Sequence, residues 1–175
     1  DFPSDNFKEN TFMVMRTKSK SIAEKEIEQI ITKIAKANTK NKASYISNVR
    51  IDKETRYKVY ELPIKSIFRT FFGKVFPDFD KQYLTFIDNF IVVGSSKNSL
   101  SKFIHSNILQ KTLDNDMRFE RFTDYLSSKS NFYFYTNFYN SPKYISGFLN
   151  SDLKKGLQSN VATFQKFQAL AVQFQ

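Results

Sequence analysis

Two short apolar runs separated by Asp-Asn stand at the middle of the chain. Residues 83–87 and 90–93 are β-branched and aromatic, which suits strands on a half-buried pleated surface. Asp88 and Asn89 lie between the runs, and both tolerate the positive φ that a two-residue type I′ turn requires. The second run is apolar at every position. We therefore predict a hairpin whose second strand is central in its sheet and covered on both faces.

An amphipathic helix follows this hairpin directly. Gly94 ends the second strand, and Ser95-Ser96 offers a side-chain oxygen to the free N–H groups of a helix start. Beyond these serines, large apolar residues recur at helical spacing. They are Leu100, Phe103, Ile104 and Ile108. Residues 83–109 are thus predicted to fold as strand, turn, strand, cap and helix.

The N-terminal third predicts a strand over residues 11–16 and a helix over residues 21–38. Ser21 and Glu24 have the spacing of a capping box. Four isoleucines form the predicted buried stripe of this helix, namely Ile27, Ile30, Ile31 and Ile34. Polar side chains predicted to face water are Glu24, Lys25, Glu26 and Lys33. A second hairpin is predicted from residues 45–51 and 56–62, around a polar four-residue loop.

The remaining elements are shorter. Residues 64–76 predict an amphipathic helix, and residues 117–126 predict another that Asp114 or Asp116 caps. Residues 132–138 predict an aromatic strand, with Phe132, Phe134, Thr136 and Phe138 on one face and Tyr133 and Tyr135 on the other. Short helices are predicted around residues 145–149 and from Ser151 onward, before a final strand over residues 167–174.

The predicted element order is β-α-β-β-α-β-β-α-α-β-α-β. Consecutive strands joined as hairpins favour an α+β fold with a mainly antiparallel sheet, on which interspersed amphipathic helices pack. With 175 residues, the chain is predicted to be a single α+β domain, residues 1–175. It begins without Met and stops within the apolar run ALAVQFQ, from which we expect a fragment of a longer chain.

Composition narrows the classes of function. The absence of cysteine excludes disulfides and thiolate metal sites. A net charge of +10 is compatible with nucleic acid, an anionic membrane surface or an acidic partner. Lysine greatly outnumbers arginine, however, and arginine is the residue that usually makes bidentate hydrogen bonds to bases and phosphates. We expect a solvated lysine surface, and nucleic acid is a disfavoured partner.

Two groups of polar residues are candidates for chemistry. His105 is the single histidine and has neither a cysteine nor a close carboxylate pair beside it, so an exposed or core-edge position explains it better than a metal site or a hydrolase triad. Asp114, Asn115 and Asp116 could offer oxygen ligands to a hard cation, although helix capping explains them more simply. Asp78 and Asp80 read as a polar loop beside Pro77.

Phosphate-binding motifs are absent from the sequence. Its four glycines form neither a dinucleotide-binding nor a P-loop pattern, which argues against nucleotide hydrolysis. We therefore predict no catalytic, cofactor-binding or metal-ligating residues.

Three surface features leave alternatives open. The helix over residues 64–76 carries Lys65, Arg69 and Lys74 beside large apolar residues, so it is either an ordinary packed helix or one that lies on a membrane. The aromatic strand could stack RNA bases, but the signature of that module is missing. Clustering of N-terminal lysines on one face would favour a basic binding domain. These lysines are Lys20, Lys25, Lys33, Lys36, Lys40 and Lys42.

One segment carries a family resemblance. Residues 86–96 read FIDNFIVVGSS, an apolar strand, a D-N turn and an apolar strand ending in G-S-S, and they are followed by Thr112-Leu113, Asp116 and Phe119. This pattern, within residues 57–138, resembles the bacterial family known as domain of unknown function 3352. The resemblance implies an exported domain of a longer, lipid- or membrane-anchored protein. It implies no catalytic residues.

The leading hypothesis is a non-enzymatic structural or protein-interaction domain of an exported, envelope-associated bacterial protein. Its expected partner is another protein or the remainder of its own chain. Its expected location is the periplasm or cell envelope, where a segment outside this sequence anchors it. The alternative is a basic domain that binds nucleic acid or an anionic surface, and a third hypothesis is a hydrolase that uses His105.

Overall fold

The structure is a computed structural model that describes residues 7–73, 81–139, 141–142, 146 and 149–174. Its contacts divide the chain into two compact units, Asp1–Gln110 and Lys111–Gln175. Each unit is described by itself. The prediction that all 175 residues form a single domain stays a prediction.

The first unit is built on a five-stranded antiparallel sheet with the strand order β1-β5-β4-β3-β2. Its strands are β1 (Met13–Arg16), β2 (Ile46–Arg50), β3 (Arg56–Leu62), β4 (Gln82–Ile87) and β5 (Phe90–Gly94). Its helices are α1 (Lys20–Ala37), α2 (Ile67–Phe72) and α3 (Lys97–Ile108), with short 3-10 helices at Phe7–Asn10 and Lys42–Tyr45. This architecture confirms the predicted α+β fold with an antiparallel sheet of hairpins.

Both faces of the sheet are covered by apolar packing. Successive side chains of a strand point to opposite faces, so Tyr60 of β3 joins the cluster around Ile31 of α1, whereas the neighbouring Val59 joins the cluster around Leu100 and Ile104 of α3. β5 follows the same rule, with Val93 in the first cluster and Val92 in the second. The prediction that β5 is covered on both faces is confirmed, although β4 and not β5 occupies the centre of the sheet.

The turn between β4 and β5 differs from the prediction. Asp88 has a φ of 48°, whereas Asn89 is outside the positive-φ region, so the turn is not of type I′. The Asn89 carbonyl accepts hydrogen bonds from the backbone N–H of Thr17 at 2.8 Å and from its hydroxyl at 3.1 Å. These bonds tie the turn to the end of β1 and fix the orientation of this peptide.

The start of α1 also differs. The helix begins at Lys20 with Ser19 as its N-cap residue, and neither Ser19 nor a Ser21 capping box closes it through a side chain. Glu24, which the sequence places in water, is half-buried and accepts a hydrogen bond from the Tyr60 hydroxyl at 2.6 Å. Ile30 was predicted to be buried and is 42 % exposed, because the buried stripe is centred on Ile31 and Ala35.

α3 starts as the sequence predicts. The Ser96 side chain accepts a hydrogen bond from the Ser99 backbone N–H at 3.0 Å, which is the predicted N-cap. Gly94 ends β5 where the chain passes close to this helix, since a Cβ there would lie 3.2 Å from Leu100 Cδ2 and 3.3 Å from Phe12 Cδ1. Ile108, predicted to lie in the buried stripe, is exposed at the end of the helix.

The predicted helix over residues 64–76 is shorter in the structure. α2 covers only Ile67–Phe72, and Ser66 before it has a φ of 54°. Phe68 packs against the core, whereas Phe71 is exposed. Residues 74–80, including Asp78 and Asp80, lie outside the described residues.

The second unit contains a two-stranded antiparallel sheet of β6 (Phe132–Asn137) and β7 (Ala169–Phe174). Its described helices are α4 (Met117–Thr123), α5 (Ser151–Ser159) and α6 (Val161–Phe164), with a 3-10 helix at Leu113–Asn115. α4 ends three residues before its predicted end. β7 begins at Ala169 and not at Phe167, because the Phe167 N–H closes a turn onto the Phe164 carbonyl at 3.0 Å. The helix predicted around residues 145–149 falls largely outside the described residues.

None of the helices among the described residues is long and apolar enough to cross a bilayer.

Leu100→Ala is expected to lower the free energy of unfolding by roughly 2–5 kcal/mol, because Leu100 is fully buried between α3 and the sheet. Leu109→Ala is the matched control, since Leu109 at the end of the same helix is exposed and its loss costs within about 0.5 kcal/mol. Urea unfolding followed by circular dichroism measures both values. Equal losses in the two variants would contradict the placement of α3 on the sheet.

Candidate interaction surface

His105 lies on an exposed position of α3. Its Nδ1 is 2.7 Å from the backbone carbonyl oxygen of Ser101, one helical turn earlier, so Nδ1 carries the proton and donates it along the helix. Within the described part of the chain, no three His, Asp or Glu side chains gather closely enough to hold a metal ion. The structure thus places His105 where the simpler interpretation expects it, at an exposed site.

The acidic residues before α4 act as the predicted cap. Asp116 Oδ1 accepts a hydrogen bond from the Arg118 backbone N–H at 2.8 Å. Asn115 donates from Nδ2 to Thr112 Oγ1 at 3.2 Å, within the preceding turn. These contacts use the side chains to start a helix, which confirms the capping interpretation of Asp116.

A polar cluster joins α1 to β3 in the first unit. Lys58 Nζ lies 3.1 Å from Glu24 Oε1 and 3.2 Å from Glu28 Oε1. The Tyr60 hydroxyl donates to the same Glu24 oxygen at 2.6 Å, and Lys42 contacts Glu28 Oε2 at 2.7 Å. Two carboxylates are therefore balanced by two ammonium groups around one buried phenol.

The electrostatics of this cluster favour charged forms of Glu24 and Glu28 and the neutral form of Tyr60. Hydrogen bonds from Lys42 and then Lys58 lower the pKa of Glu28 to about 2. The Tyr60 hydrogen bond holds the pKa of Glu24 below its usual value. Burial first, and Glu24 second, raise the pKa of Tyr60. A protonated phenol that donates to a carboxylate joins the helix to the sheet at this point.

The six N-terminal lysines do not gather on one face. At roughly 100° per residue, Lys25, Lys33 and Lys36 share the side of α1 that points away from the sheet. Lys42 is paired with Glu28, and Lys40 lies 6.0 Å from the centre of the Tyr45 ring. This distribution weakens the alternative of a basic binding face on α1.

The sheet of the second unit has two chemically different faces. The register sets Phe132 opposite Phe174 and Phe134 opposite Val172. Since side chains on directly opposite residues share a face, these four lie together with Leu170. We call these five residues the β6–β7 apolar face. The register confirms the predicted face of Phe132, Phe134 and Thr136, whereas Phe138, predicted on the same face, lies beyond the end of β6.

α4 covers the tyrosine face at Tyr135, whereas Tyr133 on the same face is exposed. The Tyr135 ring lies 4.8 Å from the Phe119 ring, nearly edge-on, and 5.5 Å from the Phe122 ring. Burial there, with Asp116 second, raises the pKa of Tyr135. A narrow cleft of about 140 Å³ opens beside this contact, too small for a drug-sized ligand, which needs roughly 300 Å³ or more.

The five residues of the β6–β7 apolar face are partly exposed to solvent, whereas Thr136, opposite Leu170 on the same side of the ribbon, is buried. The exposed fractions are 53 % for Phe132, 44 % for Phe134, 45 % for Leu170, 38 % for Val172 and 61 % for Phe174. Single exposed apolar residues are ordinary, but a contiguous group on one face marks a binding surface. The sequence signal for the β7 half of this face is the alternation of Leu170, Val172 and Phe174 at every second position. The sequence predicts a strand there but does not indicate which strand pairs with it or which face is exposed.

Glu28→Gln is expected to make the free energy of unfolding depend less steeply on pH in the acid range. The pKa of Glu28 in the folded protein, about 2, is below its ordinary value of 4.5, so Glu28 stabilises the fold above about pH 4.5 and this contribution is lost as the pH falls towards 2. Urea unfolding at successive pH values should show that the free energy of unfolding falls less steeply with decreasing pH in the variant. The difference in slope should be at most that of one bound proton. Glu26→Gln, on the exposed side of α1, should keep the wild-type slope. Parallel curves for wild type and Glu28→Gln would contradict this assignment.

Comparisons with models of protein families, with curated proteins and with solved structures find no match to this chain. Its function has to be inferred from its own residues and their geometry.

Proposed function

We propose that this chain is a non-enzymatic interaction domain and that the β6–β7 apolar face is its binding surface. The observation that carries the proposal is the group of five exposed, large apolar side chains on one side of a two-stranded sheet. A two-stranded sheet is marginally stable by itself and gains stability from each covered face. Here α4 covers one face, through Tyr135, and a partner would cover the other.

The cost of leaving this face in water supports a partner. Each square ångström of apolar surface removed from water contributes roughly 25 cal/mol. Three of the five side chains are phenylalanines, which bury about 150–250 Å² each when fully enclosed. A partner that encloses their exposed parts therefore gains several kcal/mol before the costs of association.

The cellular setting is part of the same proposal. The resemblance of residues 57–138 to domain of unknown function 3352 supports an exported, envelope-associated bacterial protein, anchored through a segment outside this sequence. The competing function is a basic domain for nucleic acid or an anionic surface, which the net charge of +10 supports.

Fractionation of the full-length protein in its native cell tests the setting. We expect recovery with the envelope and digestion when protease is added to spheroplasts, with an intact cytosolic marker protein as control. Cytosolic recovery, with release from nucleic acid by salt, would overturn the envelope assignment and favour the basic binding domain.

An apolar fluorescent dye tests the binding surface itself. The native wild-type protein is expected to enhance the fluorescence of anilinonaphthalene sulfonate, and Phe132→Thr/Phe174→Thr to lose most of that enhancement. Threonine keeps strand propensity, and both side chains are already more than half exposed, so the free energy of unfolding should change by about 1 kcal/mol or less.

Tyr125→Thr is the matched control for the dye measurement. Tyr125 is 88 % exposed and lies outside both strands, so its replacement should leave the dye signal unchanged. Equal dye signals in wild type and the double variant would show that the β6–β7 apolar face is not an accessible surface.

A further inference from the structure

We propose that the β6–β7 apolar face docks on an anionic lipid bilayer, with its apolar side chains in the interfacial layer and the neighbouring lysines on the headgroups. The inference rests on the proposed function, because it names the partner of the same surface. It concerns contact with one leaflet and not a segment that crosses the membrane.

The chemistry of the face fits hydrocarbon. Leu170 and Val172 are aliphatic and lie on the same face as the phenylalanines. Aliphatic side chains have no aromatic ring on which a nucleobase could stack, whereas they are readily buried among lipid acyl chains. The Phe132 and Phe174 rings, 5.8 Å apart at one end of the ribbon, add the aromatic character that interfacial surfaces carry.

The two strands and the segments beside them in the sequence carry charge of one sign. Residues 125–139 and 153–175, which contain both strands, have no aspartate or glutamate. Their charged residues are Lys129, Lys154, Lys155 and Lys166. Polybasic segments of this kind are attracted to anionic leaflets within about a Debye length.

Two of these lysines flank the ribbon at opposite ends. Lys129 lies in the loop before β6, three residues before Phe132 in the sequence, and Lys166 lies in the turn before β7. Gln173 holds the first loop in place, accepting from the Ser127 N–H at 3.0 Å and donating to the Ser127 carbonyl at 2.9 Å. Both lysines are exposed, so their long side chains can reach headgroups beside the apolar residues.

A second copy of the chain fits the face less well. Two ribbons stacked face to face would bring lysines of the same sign close together, and like charges across an interface oppose association. Five partly exposed side chains also offer each partner less than the roughly 800 Å² that a stable protein interface needs. An anionic bilayer supplies the opposite charge.

Vesicle sedimentation tests the proposal with the full 175-residue chain. We expect binding to phosphatidylcholine vesicles that contain phosphatidylglycerol, and binding about tenfold weaker or less to phosphatidylcholine alone. Phe132→Thr/Phe174→Thr should weaken binding to the anionic vesicles about tenfold, and Tyr125→Thr should leave it unchanged. Lys129→Gln/Lys166→Gln should weaken binding several-fold and reduce its dependence on salt.

Several results would overturn the proposal. The first is equal binding to neutral and anionic vesicles, and the second is vesicle binding that Phe132→Thr/Phe174→Thr does not weaken. The third is a concentration-dependent dimer lost in that double variant without vesicle binding, which would assign the face to a second copy. The fourth is binding of single-stranded RNA lost in the same variant without vesicle binding, which would assign the face to nucleic acid. A loss of dye signal together with absent vesicle binding would reject the lipid partner alone, whereas an unchanged dye signal would reject the interaction surface.

Discussion

Apolar cover on both faces of the five-stranded sheet is the constraint on which the first unit depends. Neighbouring residues of one strand, such as Val92 and Val93, serve different cores, so α1 and α3 must both be in place for β5 to be buried. The hairpin of β4 and β5 leads into α3 through the Ser96 cap, while α1 follows β1, the edge strand that pairs with β5. Polar contacts add to this packing, because the Tyr60 hydroxyl and Lys58 Nζ of β3 both bind Glu24 and Glu28 of α1.

Side chains also alternate between two faces in the strands of the second unit, but the two faces differ in exposure. Its ribbon has one face against α4 and one face in water, so the alternation that produces two cores in the first unit produces one core and one exposed surface here. The exposed residues are chemically like buried ones. What distinguishes them is their exposure, which is 38 % or more for each of the five residues.

Local patterns predicted from sequence were confirmed where the determining contacts are local. The Ser96 and Asp116 caps, both hairpins of the first unit and the two faces of β6 are set by neighbours in sequence. The misassigned features are decided by distant residues. Tyr60 of β3 bonds Glu24, which the sequence places in water, and Thr17 bonds the Asn89 carbonyl. The solvent exposure of the β6–β7 apolar face also depends on tertiary packing, which periodicity does not encode.

The pairing of β6 with β7 has a consequence for synthesis of the chain. β6 ends at Asn137 and β7 begins at Ala169, so a ribosome releases the aromatic strand well before the strand that hydrogen-bonds to it. During that interval Phe132 and Phe134 lie on a strand with both edges open, which is a template for pairing with other nascent chains. Slower translation between the two strands would lengthen the exposure, and a chaperone that binds aromatic segments would find its substrate there.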